Sequence, residues 1–212
     1  MVRIFRSGEP APEWCALSWF RIVDLDAGQA ETVARKAERV RILNTAGTVR
    51  VRFARTSQVL KENQFLDMPA ATANCVLEGH SSPAQAVVLS GAWSDELGGC
   101  GIFRVANQDN PSDKGDPVAY PKATAVDSHY HDCDEYWILL EGRAGIVVGG
   151  QPAEMQPGDC LPIGMGYHHD MPQAPDPVKA VFFETSLEGR QRVGHLWEHT
   201  HGPAKPLEER HP

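Results

Sequence analysis

The chain has 212 residues, enough for one large or two small domains, and a hydrophobic content of 42% that is ordinary for a globular protein. Its formal net charge of −8 argues against nucleic acid or an anionic membrane surface as a partner, and no apolar run approaches the ~20 residues of a membrane span. The start of the chain lacks the apolar core of a secretory signal, and the five cysteines are scattered and odd in number. We therefore expect a cytoplasmic protein with free thiols and with no nucleic-acid or membrane partner.

Turn-forming residues are frequent along the whole chain. The 19 glycines and 16 prolines favour an all-β architecture over a helix bundle. The one stretch with good helix propensity is 31–39, ETVARKAER, and it conflicts locally with an all-β prediction.

The first half of the chain resembles the second in four segments that occur in the same order. These segments are 19–23, 42–49, 69–74 and 85–88, and their counterparts are 102–105, 140–147, 164–169 and 179–182. Four ordered matches predict an internal repeat, and hence two domains of one type. Chance similarity among β-rich strings is the alternative interpretation.

The spacing of the matches places an insertion in the second half, around residues 107–117. This stretch is polar and rich in proline and glycine, so we expect a loop. A long loop beside a site is often a lid or a specificity element, and a disordered surface excursion is the alternative.

Two histidines and a glutamate of one parity follow this loop. On a β-strand, side chains of one parity point to one face, so His129, His131 and Glu135 would converge. The aromatic and aliphatic residues 136–140 and the turn residue Gly142 support a strand here. Two imidazoles and a carboxylate at one point are what a first-row transition metal requires.

A fourth ligand is sought in a downstream segment that ends in a histidine pair. Gly158 and Gly166 allow a tight backbone before His168 and His169. Counting from Gly158 favours His169, whereas counting from residues 162–164 favours neither histidine.

These two segments resemble the two sequence motifs of the cupin superfamily. The first motif, HxH followed by a glutamate and a glycine, matches every spacing at His129, His131, Glu135 and Gly142. The second motif matches at the residues Gly158, Gly166 and His169. Gly164 replaces the motif's proline and Ala123 its leading glycine, and these departures concern loop shape more than metal binding.

The resemblance implies a cupin double-stranded β-helix, or jelly-roll barrel, in two tandem copies. We expect a degenerate, metal-free barrel over residues 1–98, a metal-binding barrel over 99–198, and an exposed tail over 199–212. The tail holds another HxH, which lacks the motif's glutamate and is flanked by Gly-Pro and charged residues, so we interpret it as exposed; a second metal site is the alternative. In the first half the ligand positions would fall near Glu31, Val33, Ala37 and Asn74, a set that cannot hold a transition metal.

The predicted ligand set is His129, His131, Glu135 and His169, holding one divalent transition metal. Iron, manganese, nickel, zinc and cobalt all suit it, and a polar network without a metal is the alternative. Four protein ligands leave two octahedral positions open to a small-molecule ligand or substrate.

We expect a metalloenzyme, dioxygenase-like or sugar isomerase/epimerase-like, acting on a small oxygenated organic molecule. The alternative is a non-catalytic binding or regulatory cupin with a structural or sensing metal, because cupins host many functions. An open cavity at the metal favours the enzyme, and a cavity plugged by Trp137, Tyr167 or the 107–117 loop favours the alternative.

Several further side chains are candidates for the pocket. His168 and Tyr167 precede the last ligand and are the predicted catalytic residues, with His168 as general acid or base; a solvent-facing loop histidine is the alternative. Trp137 and Cys133 share the parity of the ligands and should point inward. Trp137 is then a pocket wall or a core residue, and Cys133 is a filler or a reactive thiol. The resemblance also implies a homodimer, to which Trp14, Trp19 and Phe20 offer apolar surface.

Overall fold

A computed structural model of the chain describes residues 2–54, 56–111, 114–185 and 192–211. The chain forms two compact units: residues 6–93 make the N-terminal unit, and residues 94–212 with residues 1–5 make the C-terminal unit. Almost all regular structure in the described residues is β-strand, which confirms the all-β prediction. Neither of the short helices in this part of the chain is long and apolar enough to cross a membrane.

The strands and helices follow one another in this order: β1 Phe5–Arg6, β2 Leu17–Leu25, β3 Ala30–Ala34, β4 Arg39–Ala46, β5 Thr48–Phe53, β6 Thr56–Lys61, β7 Phe65–Asp67, β8 Asn74–Gly79, β9 Ala84–Gly91, β10 Gly99–Val105, β11 Glu135–Val148, β12 Gln151–Met155, β13 Asp159–Ile163, β14 His169–Glu184, the helix α1 Glu198–His201, and a single 3₁₀ turn at Glu208–Arg210.

The N-terminal unit consists of two four-stranded sheets. Their strand orders are β2-β9-β4-β7 and β3-β8-β5-β6, and both sheets contribute to one apolar core. Strand β5 shows the alternation that builds this core, because Val49 and Val51 are fully buried while their neighbours are not.

The helix-favouring stretch 31–39 begins in a strand. Strand β3 pairs antiparallel with β8, and its Val33 is buried in the core. Pairing and burial outweigh the local propensity here, since a few tenths of a kcal/mol per residue is about all that propensity contributes.

The C-terminal unit is built around the two longest strands, β11 and β14. They pair antiparallel in a sheet of order β1-β13-β11-β14-β10, and β12 adds to β11. The pairing order β10-β14-β11 has the same form as β2-β9-β4 in the N-terminal unit. The segments that correspond in sequence therefore also correspond in strand pairing.

The segment 107–117 contains no strand in its described part, and residues 112 and 113 lie outside the described residues. Both of its ends are attached to the barrel. The Asn107 Oδ1 accepts a hydrogen bond from the Ala174 amide at 2.8 Å, and the Asp116 amide donates to the Ser128 carbonyl at 2.9 Å.

The last part of the chain, residues 192–211, is largely exposed but attached to the segment that carries the predicted ligands. Tyr130, Asp132 and Asp134 make part of this attachment. Tyr130 exchanges backbone hydrogen bonds with Leu196 at 3.0 Å, and its hydroxyl donates to the Gly202 carbonyl at 2.8 Å. Ion pairs follow at Asp132 with Arg192, 3.2 Å, and at Asp134 with Arg210, 2.7 Å.

Candidate metal centre

The four predicted ligands lie together inside the C-terminal unit. His129 and His169 face each other across an antiparallel bridge, and His169 opens strand β14. Glu135 opens strand β11, next to β14 in the sheet. One donor atom from each of these three and from His131 lies within 4.8 Å of the others, and all four residues are buried.

Hydrogen bonds outside the cluster decide which atom of three of the ligands, His129, His169 and Glu135, faces its centre. The Nδ1 atoms of His129 and His169 lie 2.8 and 3.0 Å from the backbone carbonyls of Asp127 and Tyr167. A carbonyl only accepts, so each Nδ1 carries the proton and each Nε2 presents a lone pair. The Trp137 indole donates to Glu135 Oε1 at 2.8 Å, which leaves Oε2 for the centre.

The atoms that face the centre lie close together, with Nε2 of His129 3.1 Å from Nε2 of His131. Oε2 of Glu135 lies 2.9 Å from Nε2 of His169 and 3.4 Å from Nε2 of His131. Oε2 of Glu135 and Nε2 of His169 are buried and without a hydrogen-bond partner in the described part of the chain. Lone pairs that converge in a buried site repel one another, and a cation among them removes the repulsion. The donor set thus fits a bound metal ion.

Burial keeps the imidazoles in the form that a metal binds. Burial lowers the pKa of His129 and of His169 to about 3, and it lowers the pKa of His131 well below its usual value. At His129 and His131 the neighbouring histidines lower the pKa further. Three neutral imidazoles and one carboxylate suit a divalent first-row metal without choosing among iron, manganese, nickel, zinc and cobalt. In the described chain, the groups of side chains able to hold a metal all come from residues 127–195.

A cavity of about 390 Å³ reaches the cluster at His129 and Glu135. Part of its wall, which we call the aromatic wall, is formed by Phe103, Trp137 and Phe182. The ring centroid of Phe103 lies 5.5 Å from that of Trp137 and 6.5 Å from that of Phe182. The predicted inward position of Trp137 therefore makes it a wall of the cavity.

Glu184 is a second carboxyl group on the cavity wall. It ends strand β14, is paired in register with Glu135, and is only 8% exposed. Burial, with a contribution from the Glu135 charge, raises the pKa of Glu184 to about 7.

His195 and Asp127 form a hydrogen-bonded pair beside the ligands. The His195 ring stacks on His129 with centroids 3.7 Å apart, and its Nδ1 lies 3.1 Å from Asp127 Oδ1. The Trp197 indole donates to the same carboxylate at 2.6 Å. The hydrogen bond to Asp127, which outweighs burial, raises the pKa of His195. Both members of the pair line the cavity.

The predicted catalytic residues Tyr167 and His168 lie elsewhere in the C-terminal unit. Tyr167 is buried and packs its ring 5.6 Å from that of His211. The His168 Nε2 lies 2.9 Å from an Asp116 carboxylate oxygen, on a separate depression of about 480 Å³ that His169 also lines. Neither is among the described residues that line the cavity at Glu135, and their role in proton transfer stays a prediction.

Cys133 is buried beside His131 and Glu184. Burial, with nearby carboxylates contributing, raises the pKa of its thiol. A thiol that stays protonated is a poor nucleophile, so the filler interpretation fits better than the reactive one.

Sequence patterns did not point to three of the polar groups on the cavity wall, Glu184, Asp127 and His195. Glu184 shares the parity of Phe182 on the last strand, so knowledge of where Phe182 points would have placed it. Asp127 has the parity of the ligands and could have been found in this way. His195 could not, because the backbone bridge between Tyr130 and Leu196 that brings it to the site leaves no local sequence pattern.

Comparison with known proteins agrees with the fold. Residues 118–184 match the family model described as Cupin domain. Several solved structures share the fold. An iolb-like protein from Salmonella typhimurium LT2 is 14% identical at a TM-score of 0.57, with 93% of this chain and 97% of that chain covered. Oxalate decarboxylase from Bacillus subtilis is 11% identical at a TM-score of 0.52, with coverage of 86% and 76%.

Residues 118–184 of the chain therefore form a domain of the cupin superfamily. The chain is also 50% identical over 207 residues to the uncharacterized protein y4oW of Sinorhizobium fredii (strain NBRC 101917 / NGR234), covering 98% of this chain and 95% of that protein. The cupin prediction is thus confirmed, while the metal-free tandem copy in the N-terminal unit stays a prediction.

Proposed function

We propose that the protein is a metal-dependent enzyme acting on a small oxygenated organic molecule, in a dioxygenase-like or sugar isomerase/epimerase-like reaction. The observation that carries the proposal is the cavity of about 390 Å³ that opens onto His129 and Glu135. A purely structural metal needs no such space, because its ligands close around it. Trp137 lines this cavity without filling it, and Tyr167 stands apart from it.

His129, His131, Glu135 and His169 would hold the metal through three Nε2 atoms and one carboxylate oxygen. When bound, a divalent ion with open positions polarises a coordinated substrate oxygen or activates coordinated water or dioxygen. The Trp137 indole orients Glu135 through a hydrogen bond, and Glu184 and His195 line the cavity in which the substrate would bind.

Relatives of known name support this class of function. The Bacillus subtilis neighbour is an oxalate decarboxylase, so the shared fold accommodates chemistry on a small oxygenated molecule. Sequence identity of 11% limits this support to the fold, and the substrate is argued separately from the cavity.

Cobalt substitution tests the proposal. Full-length protein loaded with Co(II) should show absorption bands that shift when azide is added, because azide enters open metal positions of any kind. His131→Ala should lose the bands, and Glu154→Ala, on exposed β12, should keep them. Bands that azide leaves unchanged would identify a closed site and a non-catalytic cupin.

A further inference from the structure

The Glu184 carboxyl group is aimed into the cavity without a hydrogen bond from the described residues. Its side chain is only 10% exposed, and its nearest polar neighbour with a measured separation is Nδ1 of His131, 3.8 Å from Oε1. That separation is longer than a hydrogen bond. A buried carboxyl group ordinarily has partners, so this one is available to a donor on a bound molecule.

The chain leaves room for this carboxyl group at two consecutive glycines. A Cβ atom on Gly98 would overlap Oε2 of Glu184, and one on Gly99 would lie 3.1 Å from the same oxygen. Any larger residue at position 98 would displace the carboxyl group or the strand beside it. The position of Glu184 is therefore built into the packing of β10 against β14.

The cavity offers hydrogen-bond acceptors together with the aromatic wall. Glu184 has the same parity as Phe182 on β14, so its carboxyl group and one ring of that wall lie on the same face of the strand. An apolar surface next to acceptor oxygens suits a molecule with a C–H face and several hydroxyl groups.

Charge in the cavity disfavours an acidic ligand. The lining includes the carboxyl groups of Asp127, Glu135 and Glu184. Arg104 is also at the wall, but it is exposed and alternates with Phe103 and Val105, which pack against the apolar core, so its side chain lies on the other face of β10. A bound metal would neutralise Glu135, and Asp127 is paired with His195, so Glu184 is the carboxyl group left to repel a second carboxylate at close range.

The geometry points to a neutral, polyhydroxylated ligand of the sugar or polyol class, whose hydroxyl groups donate to the Glu184 carboxyl oxygens while its C–H face packs on the aromatic wall. This inference rests on the proposed function, since it assigns the substrate class of the same metal cavity. It assigns Glu184 the role of a substrate-binding residue outside the metal ligands.

Ligand-observed saturation-transfer NMR on the full-length protein loaded with Zn(II) tests the inference. Two panels are compared: neutral aldoses, ketoses and polyols, and mono- and dicarboxylates of matched carbon number. At least one neutral compound should bind in preference to its carboxylate counterpart. Its Kd should rise about 10- to 100-fold in Glu184→Ala, the effect of losing a hydrogen bond to a charged group.

Three further variants separate hydrogen bonding from folding. Glu184→Gln keeps an acceptor oxygen and should weaken binding less than Glu184→Ala does. Gly98→Ala keeps Glu184 but displaces its carboxyl group, because the added Cβ atom would overlap Oε2, and this variant should also weaken binding. Glu154→Ala removes a glutamate from exposed β12 and should change nothing. Each variant should still bind one Zn(II).

The inference is overturned if no compound of the neutral panel binds or if carboxylates bind in preference. It is also overturned if the Kd for a sugar is the same in Glu184→Ala and the parent protein. The azide experiment tells these failures from failure of the proposed function. If azide shifts the Co(II) bands and sugars do not bind, the metal cavity is open but its substrate class is wrong. If azide has no effect, the proposed function itself fails.

Discussion

Among single residues, the metal centre depends on hydrogen bonds that no ligand motif specifies. Backbone carbonyls hold the protons on Nδ1 of His129 and His169, and the Trp137 indole occupies one oxygen of Glu135. The grouping of the four side chains was predictable from the local motif spacing, but the strand assumed by the parity argument begins only at Glu135, and His129 lies in an isolated bridge. The orienting partners of these side chains were less predictable, since a backbone carbonyl carries no sequence signature.

Removing one ligand should remove the metal. In His131→Ala one of four donors is lost from a preorganised set, so metal affinity should fall by more than the roughly 10- to 100-fold typical of outer contacts. Elemental analysis after dialysis against a chelator measures this. Full metal occupancy in the variant would show that the site lies elsewhere.

Trp137→Phe should weaken the metal centre without touching a ligand. The phenyl ring fills most of the space, but Glu135 Oε1 loses the 2.8 Å hydrogen bond that orients it. We expect about a 10- to 100-fold loss of metal affinity, measured by competition with a chromophoric chelator. Trp19→Phe, in the core of the N-terminal unit, is the matched control. Equal affinities in both variants would contradict an orienting role for Trp137.

Among structural elements, Asp116 holds α1 against the barrel. Its carboxylate accepts hydrogen bonds from the Glu198 amide at 2.8 Å and from ring nitrogens of His168 and His199 at 2.9 and 2.7 Å. Burial alone would raise the pKa of Asp116, but these hydrogen bonds outweigh it and lower the pKa to about 2. The predicted exposed tail is therefore exposed to solvent yet attached at a defined point.

Asp116→Asn should destabilise the protein by about 1 kcal/mol at neutral pH, since it weakens charge-assisted hydrogen bonds. Because the folded-state pKa lies below the unfolded-state value, this contribution is present above pH ~4 and is lost as the pH falls towards 2. Urea unfolding across this range measures the difference from the parent protein. Asp176→Asn, in an exposed ion pair with Arg143, should have almost no effect. A difference that does not shrink on acidification would rule out the Asp116 charge as its source.

Strand β3 shows where local sequence misleads. Residues 31–39 favour a helix, but pairing of β3 with β8 and burial of Val33 select a strand. The attachment of 192–211 is equally non-local, since its partners lie about 60 to 80 residues earlier in the chain.

For the whole molecule, the two units share one three-strand pairing order, β10-β14-β11 and β2-β9-β4, but have different interiors. The N-terminal core is a cluster of aliphatic side chains, whereas the C-terminal core surrounds three histidines and a glutamate. The family was predictable from the spacing of the two ligand motifs, and the all-β fold was predictable from the many turn-forming residues along the chain. The proposed substrate class rests on Glu184 and the aromatic wall, which only the strand pairing brings together.

The full chain should bind one metal ion, in the C-terminal unit. Asn74, at the position that corresponds in sequence to His169, begins β8 and is exposed. Asn74→Ala should therefore leave the metal content at one per chain by elemental analysis. A second equivalent that disappears in this variant would place a metal in the N-terminal unit.

The resemblance to cupins also predicts a homodimer. Trp14 and Trp19 are partly buried and Phe20 is fully buried, so little of the apolar surface first assigned to an interface is free. Light scattering at micromolar concentration measures the mass, and a monomer would end this prediction.

The segment 127–135 divides its side chains between two tasks. Odd-numbered residues from His129 to Glu135 face the metal cluster, and Tyr130, Asp132 and Asp134 fasten the last part of the chain. Asp127 does both, because it lines the cavity and is hydrogen-bonded to His195 and Trp197. A substitution at Asp132 or Asp134 disturbs one task, but deletion of a single residue would displace the metal ligands and the fastening residues together. Natural variants of this protein should consequently keep the length of the segment constant.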